Sequence, residues 1–274
     1  MLKTRIITAI VLILGFLLAL FNTSDFAWSF ITLGITLLGV WEWSNLIKLN
    51  KVQMLSYLTV ALGIGLLISF MPKTPLAQYQ QQLILLLLGC ATFFWMVIAP
   101  ILLSTRKIPG HKLVMCLLGL LLLITTWLGF VGLHSISPWL LLAVIATVNI
   151  ADTAAYFAGK RFGRHKLAPA ISPGKTWEGV AGALLGVTLY GAALCYYQGY
   201  SQWLVIAMWF IVVLSVMGDL FESLLKRQAG IKDSSQLLPG HGGVLDRIDG
   251  LIPTLAIALF CTYIPLFLKI QAHG

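Results

Sequence analysis

The chain has 274 residues and a formal net charge of +9, with 59% hydrophobic residues and only 10% charged ones. Soluble domains run at about 45–50% apolar and about 25% charged. A mean hydropathy of +0.94 over this length exceeds what one water-soluble core can bury, which excludes a cytosolic enzyme, a disordered chain and a disulfide-stapled secreted domain. Cys90, Cys116, Cys195 and Cys261 stand singly in apolar runs, so they read as small buried hydrophobes rather than zinc ligands or a disulfide framework.

A spanning helix needs about 20 mostly apolar residues at 1.5 Å each to cross a hydrocarbon slab of about 30 Å. On that measure the sequence predicts an all-α polytopic membrane protein with about nine transmembrane helices, near 6–22, 26–47, 54–71, 82–103, 113–133, 138–158, 178–197, 203–222 and 250–270. The first span follows Lys3 and Arg5 in the manner of a signal peptide, but no small-x-small cleavage site follows Leu20, so it reads as an uncleaved anchor. With the N-terminus in the cytoplasm, 16 of the 18 basic residues fall on the inner side and only Lys73 and Lys269 outside, as the positive-inside rule requires. The positive charge therefore belongs to a membrane face and its anionic headgroups, not to nucleic acid.

Residues 1–137 read as a hydrophobic scaffold of about five helices. Residues 138–274 read as the catalytic region, with cytoplasmic loops 159–177 and 223–249. Seven of the nine acidic residues lie between Asp152 and Asp249. Among the earlier ones, Glu42 sits between Trp41 and Trp43, where an aromatic-belt position is the plain reading.

In the sixth span Asn149, Asp152, Thr153 and Tyr156 follow i, i+3, i+4, i+7 and form one polar stripe. The eighth repeats the device with Ser215, Gly218, Asp219 and Glu222. A carboxylate facing lipid costs several kcal/mol, so both stripes must face protein or water. Hydrogen-bonded helix seams are the bland alternative, which serine, threonine or asparagine would serve at less cost. Asp152 lies about six residues, or ~9 Å, before the expected cytoplasmic end of its span, and Asp219 three or four residues before its own. Both carboxylates thus belong to the cytoplasmic third of the membrane. That is shallow for a transport pathway but suits a site open to cytosol and headgroups.

The loop after the sixth span carries Lys160, Arg161, Arg164, Lys166 and Lys175. Gly174-Lys175-Thr176 resembles the end of a phosphate-binding P-loop, yet Pro169 stands where that motif needs glycine, and no strand is expected before it. A purely topogenic role is the alternative for these charges. Gly179, Gly182 and Gly186 then form a small-residue stripe of the kind that lets membrane helices pack closely.

The second loop is richer. It runs Ser223-Leu-Leu-Lys226-Arg227, Lys232-Asp233, Pro239-Gly240-His241-Gly242-Gly243 and Asp246-Arg247-Ile248-Asp249. Arginine and lysine clamp phosphate, and the glycines let backbone N–H groups approach an anion. Asp246 and Asp249, at i and i+3 where a helix re-enters the membrane, can share a face. A helix-start aspartate contributes only about 0.3–1 kcal/mol through the dipole, which explains one of them but hardly both. Oxygen-only acidic ligands beside basic clamps suit magnesium and a polyphosphate. Residue chemistry alone reaches no particular nucleotide.

At Ser223–Asp249 the sequence closely resembles the signature of phosphatidate cytidylyltransferases (CDP-diacylglycerol synthases), without a gap. Asp152-Thr-Ala-Ala-Tyr156 and Ile171-Ser-Pro-Gly-Lys175-Thr-Trp-Glu178-Gly also resemble this family, whereas the N-terminal spans match it only in size and hydropathy. The resemblance implies an integral membrane enzyme, commonly dimeric, of a bacterial inner membrane with its site facing the cytoplasm. It implies conversion of CTP and phosphatidic acid to CDP-diacylglycerol and pyrophosphate with magnesium, and leaves room for a second cation. On the same basis Asp219, Asp246 and Asp249 are assigned to the metal centre, with Asp152 a further ligand or a partner of one. Lys175, Lys226, Arg227, Lys232 and Arg247 would clamp phosphates, with Ser223, His241, Gly242 and Gly243 among the substrate contacts. Two competitors stand beside this: a CTP-dependent lipid-alcohol kinase, and a transporter, which would need polar stripes through the full bilayer depth.

Overall fold

The computed structural model describes residues 2–71, 77–237 and 242–264, with backbone alone for 2–10 and 12. In chain order the helices are α1 (Leu2–Asn22), α2 (Asp25–Leu46), α3 (Lys51–Phe70), α4 (Ala77–Phe93), a π-helical turn Phe94–Ile98, α5 (Ala99–Thr105), α6 (Lys112–Ile136), α7 (Pro138–Phe162), α8 (Trp177–Gln198), α9 (Trp203–Ala229), α10 (Leu245–Ile248) and α11 (Leu251–Thr262). The π turn leads into Pro100 near the start of α5, whose missing N–H and bulky ring interrupt regular α-helical bonding.

Among the described residues, seven helices are long and apolar enough to cross a membrane, α4 to α5 counting as one. These correspond to the second through eighth of the expected nine spans. The first expected span falls on α1 (Leu2–Asn22), 21 residues long with Ile13–Asn22 as its described apolar part, and the last falls on α11 (Leu251–Thr262), with 265–270 outside the described residues. Lys73, Lys269 and Gly274 lie outside the described residues. The all-α expectation holds except for one two-stranded hairpin, β1 (Lys166–Ala168) against β2 (Ser172–Thr176), where only a loop was expected.

Helix α6 is buried on several sides, as a uniformly hydrophobic sequence should be. It packs against α2 and α11. Three indole N–H groups tie α2 and α6 together: Trp28 donates to the Phe130 carbonyl at 3.0 Å, Trp43 to that of Met115 at 2.9 Å, and Trp127 to that of Ser29 at 3.0 Å. Lipid offers no substitute partner for such donors. The predicted small-residue stripe closes α7 onto α8, since a Cβ on Gly182 or Gly186 would overlap Ala154 or Ala158. The cysteines are free thiols, but their expected burial is corrected. Cys90 is exposed and the other three half-buried, because a lipid-facing helix surface accepts a small apolar group as readily as the core does.

Helices α7 and α9 run past the expected span ends at 158 and 222, to Phe162 and Ala229. Lys160 with Arg161, and Lys226 with Arg227, occupy their last turns and oppose the negative end of each helix dipole. Gly230, at φ +78°, terminates α9 in a left-handed cap.

Candidate active site

The site lies where α7, α9 and the turn after α10 meet hairpin strand β2. Asp152 and Asp219 each sit ten residues before the end of their helix, at Phe162 and Ala229, about 15 Å along the axis. Lys175 on β2 reaches across to Asp219, Nζ to Oδ2 at 2.5 Å. Strand alternation sends Thr176 the other way, into burial, where it caps α8 by accepting from the Gly179 N–H at 3.1 Å. The hairpin thus aims Lys175 into the site. Ser223 donates to Asp219 Oδ1 at 3.3 Å.

Asp249 lies within electrostatic reach of Asp219, Lys175 and Asp152, and Asp152 in turn of Lys175, Asp219 and Arg247. Among the described residues Asp249 accepts one hydrogen bond, from the Gly250 N–H at 2.8 Å. Burial first, then the like charge of Asp219, pushes its carboxyl up to about 7. Gly218 leaves room for this turn, since a Cβ there would overlap the Asp249 carbonyl.

Asp246 is held by a different set of partners. Its Oδ1 accepts from Lys226 Nζ at 2.6 Å. Its Oδ2 accepts from the Ser234 N–H at 3.0 Å, the Ser234 hydroxyl at 3.0 Å and the Gly243 N–H at 2.8 Å. Burial raises the Asp246 carboxyl, but the Lys226 ammonium and these N–H donors outweigh it and hold it at about 2. Lys226 also pairs with Glu222 Oε2 at 2.6 Å; neither Glu222 oxygen is hydrogen-bonded to any other group among the described residues. Gly242 turns the loop at φ +82°, a backbone angle that favours glycine. Gly243 leaves no space for a Cβ against Ser234 and Glu42.

Of the remaining sequence-derived residues, Arg227, Lys232 and Arg247 are exposed. Arg227 Nε donates to the Ile171 carbonyl at 3.4 Å. His241 lies outside the described residues. The aromatic-belt reading of Glu42 is corrected: it is fully buried and bonded to Ser234, Ser235, Val244 and Leu245. Together with Glu222 and Ser234 it was not among the sequence-derived site residues. For Glu42 the signal was a carboxylate in an otherwise apolar scaffold, and for Glu222 its place in the polar stripe with Asp219.

The donor chemistry of Asp152, Asp219 and Asp249 fits a hard divalent cation: all oxygen, and an excess of negative charge that a cation would relieve. Asp246 fits less well, since three donors and an ammonium already occupy its oxygens. Among the described residues no three acidic, histidine or cysteine groups close into a ready ligand shell, and the Lys175 ammonium stands against Asp219.

Residues 3–265 match the cytidylyltransferase family. The chain belongs to it. A phosphatidate cytidylyltransferase of Haemophilus influenzae is 35% identical over 283 residues, covering 95% of this chain and 97% of its own. One of Pseudomonas aeruginosa is 38% identical over 288 residues, covering 95% and 96%. One of Staphylococcus aureus is 30% identical over 265 residues, covering 94% and 98%. The similarity to these cytidylyltransferases therefore extends through the N-terminal helices, where the sequence offered only hydropathy.

Proposed function

We propose that this chain converts CTP and phosphatidic acid to CDP-diacylglycerol and pyrophosphate at the cytoplasmic side of a bacterial inner membrane. The observation that carries this reading is the gathering of Asp152, Asp219 and Asp249 around Lys175, in a chain similar over nearly its whole length to enzymes named for that reaction. A phosphatidate phosphate oxygen attacks the α-phosphorus of CTP, and the bond to the β-phosphate oxygen breaks to release pyrophosphate. The nucleophile is already an anion, so no strong general base is required. The task is to bring two anions together and to stabilise charge on the leaving group.

Lys175, at the inner edge of the site, supports one phosphate from a fixed strand. Lys226 is held by Asp246 and Glu222, which orients its remaining donor capacity. Arg227, Lys232 and Arg247, exposed at the rim, capture the incoming polyphosphate and headgroup. Asp219 and Asp249, with Asp152, would hold magnesium, and Asp246 would order the basic side. Bound there, the ion would neutralise phosphate charge and polarise the phosphoryl group. A homodimer belongs to this reading as the family resemblance implies it.

Purified protein given phosphatidic acid and CTP should place label from the α-phosphate in lipid and release γ label as pyrophosphate. Transfer of γ label to lipid would establish a lipid kinase instead. For topology, the 16-to-2 division of basic residues supports a cytoplasmic N-terminus and cytoplasmic 159–177 and 223–249 segments. A cysteine at exposed Gln236, in a background lacking Cys90, Cys116, Cys195 and Cys261, should react only with reagent supplied from the inner face. Labelling from the outer face would invert the arrangement and remove the access route for CTP.

A further inference from the structure

We propose that Glu42, in the N-terminal helix α2, is a positioning residue for the reaction, holding Ser234 and Ser235 together with residues 244–246 in register with Lys226. This rests on the cytidylyltransferase reading of the site. The Glu42 side chain is 0% exposed. Its Oε1 accepts from the Ser235 hydroxyl at 2.6 Å and the Val244 N–H at 2.8 Å. Its Oε2 accepts from the Ser234 hydroxyl at 3.0 Å and the Leu245 N–H at 2.6 Å. Four donors from a segment about 200 residues away thus converge on one side chain.

The contact is built for closeness. A Cβ on Gly39, one turn before Glu42, would meet Leu245 Cδ2 at 3.4 Å, and a Cβ on Gly243 would overlap Glu42 itself. Glu42 touches none of the reacting groups; it acts through Ser234. That hydroxyl lies 3.0 Å from both Glu42 Oε2 and Asp246 Oδ2. It has one proton to give, so the two carboxylates share a single donor, while the Ser234 N–H serves Asp246 alone. Moving Glu42 moves Ser234, then Asp246, then the Lys226 ammonium that Asp246 grips. A buried carboxylate costs several kcal/mol unless its partners are complete. The helix scaffold and the signature loop are therefore locked in one arrangement.

Glu42→Gln tests this sharply. The serine hydroxyls can rotate and accept from an amide, but each Glu42 oxygen also faces a backbone N–H that cannot. Whichever way the amide turns, its NH2 opposes either Val244 or Leu245. E42Q should lower kcat, at saturating CTP and phosphatidate and per folded molecule, at least ~10-fold. A cysteine at Gln236, in a background lacking the four native cysteines, should be alkylated several-fold faster in E42Q than in its parent. Should E42Q not accumulate as folded protein, S234A/S235A removes two of the four donors and keeps the carboxylate; it carries the same two expectations at smaller size. Unchanged Gln236-site reactivity, kcat within twofold of the parent, or activity falling only in proportion to folded protein would each overturn the proposal. Absence of α-label transfer by the parent protein would defeat the reaction reading instead, and the alkylation rates would still decide whether Glu42 holds the loop.

Discussion

Asp249→Asn is expected to lose at least ~100-fold in turnover, about 2.7 kcal/mol of transition-state stabilisation, while the folded protein is no less stable at pH 7. The two effects part because Asp249 is poorly compensated by its own chain. It accepts one backbone N–H and lies near the carboxylates of Asp219 and Asp152. Asparagine keeps the size, removes the repulsion, and removes a charge that a hard divalent ion needs. The pH dependence carries the same signature. Burial raises the Asp249 carboxyl from the ordinary carboxylate range to about 7. Between roughly pH 4 and pH 7 the folded state therefore binds more protons than the unfolded one, and stability from this group falls as pH rises through that window. Thermal unfolding in the presence of chelator should show that decline in the parent and a flatter profile in Asp249→Asn. Added magnesium should raise the parent's midpoint at pH 7 and have little effect on the variant. Near-parental turnover in Asp249→Asn at limiting magnesium, or a clear loss of stability at pH 7, would remove this residue from the cation site.

Sequence patterning picked out acidic and basic residues that the fold brings together, but not the partner of each group. Asp152 and Asp219 were legible because a carboxylate in an apolar helix has to face something polar. The closeness of α7 to α8 was legible in Gly182 and Gly186. The hairpin at 166–176 was not, because three- and five-residue strands joined through Pro169, Ala170 and Ile171 carry too little alternation to stand out from a basic loop. It nevertheless aims Lys175 at Asp219. The i, i+3 spacing of Asp246 and Asp249 suggested a common face, and Asp249 keeps right-handed helical angles at φ -51° and ψ -47°, but it did not show that Asp246 is taken up by Lys226 and the loop donors while Asp249 accepts from Gly250. Glu42 was read from its neighbours Trp41 and Trp43. Its real partners, Ser234, Ser235, Val244 and Leu245, are long-range contacts that no local pattern encodes.

Lys226→Met should be the most damaging single change in the loop-facing half of the site, costing both stability and turnover. Lys226 stands between Glu222 Oε2 and Asp246 Oδ1, each 2.6 Å away, with side-chain exposures of 14%, 5% and 7% for the lysine, glutamate and aspartate. Methionine fills similar space but leaves two buried carboxylates facing each other without a cation. Breaking a buried pair in this way costs about 3–5 kcal/mol, far above the ~0.3–1 kcal/mol that a helix-start aspartate contributes through the dipole. Asp246 keeps the Ser234 and Gly243 donors, so the larger share of the penalty falls on Glu222, which has no other hydrogen-bonding partner among the described residues. Adding Glu222→Gln to Lys226→Met should therefore restore part of the stability, since it replaces the orphaned carboxyl with an uncharged amide. It should not restore turnover, which needs the ammonium at the phosphates and falls at least ~100-fold in both variants. Thermal unfolding in detergent and α-label transfer, run on the parent, the single variant and the double variant, separate the two contributions. A single variant as stable as the parent would mean that the Glu222–Lys226–Asp246 cluster is solvated. Recovered turnover in the double variant would place Lys226 outside the phosphate-binding machinery and leave it a charge-balancing group for Asp246 and Glu222.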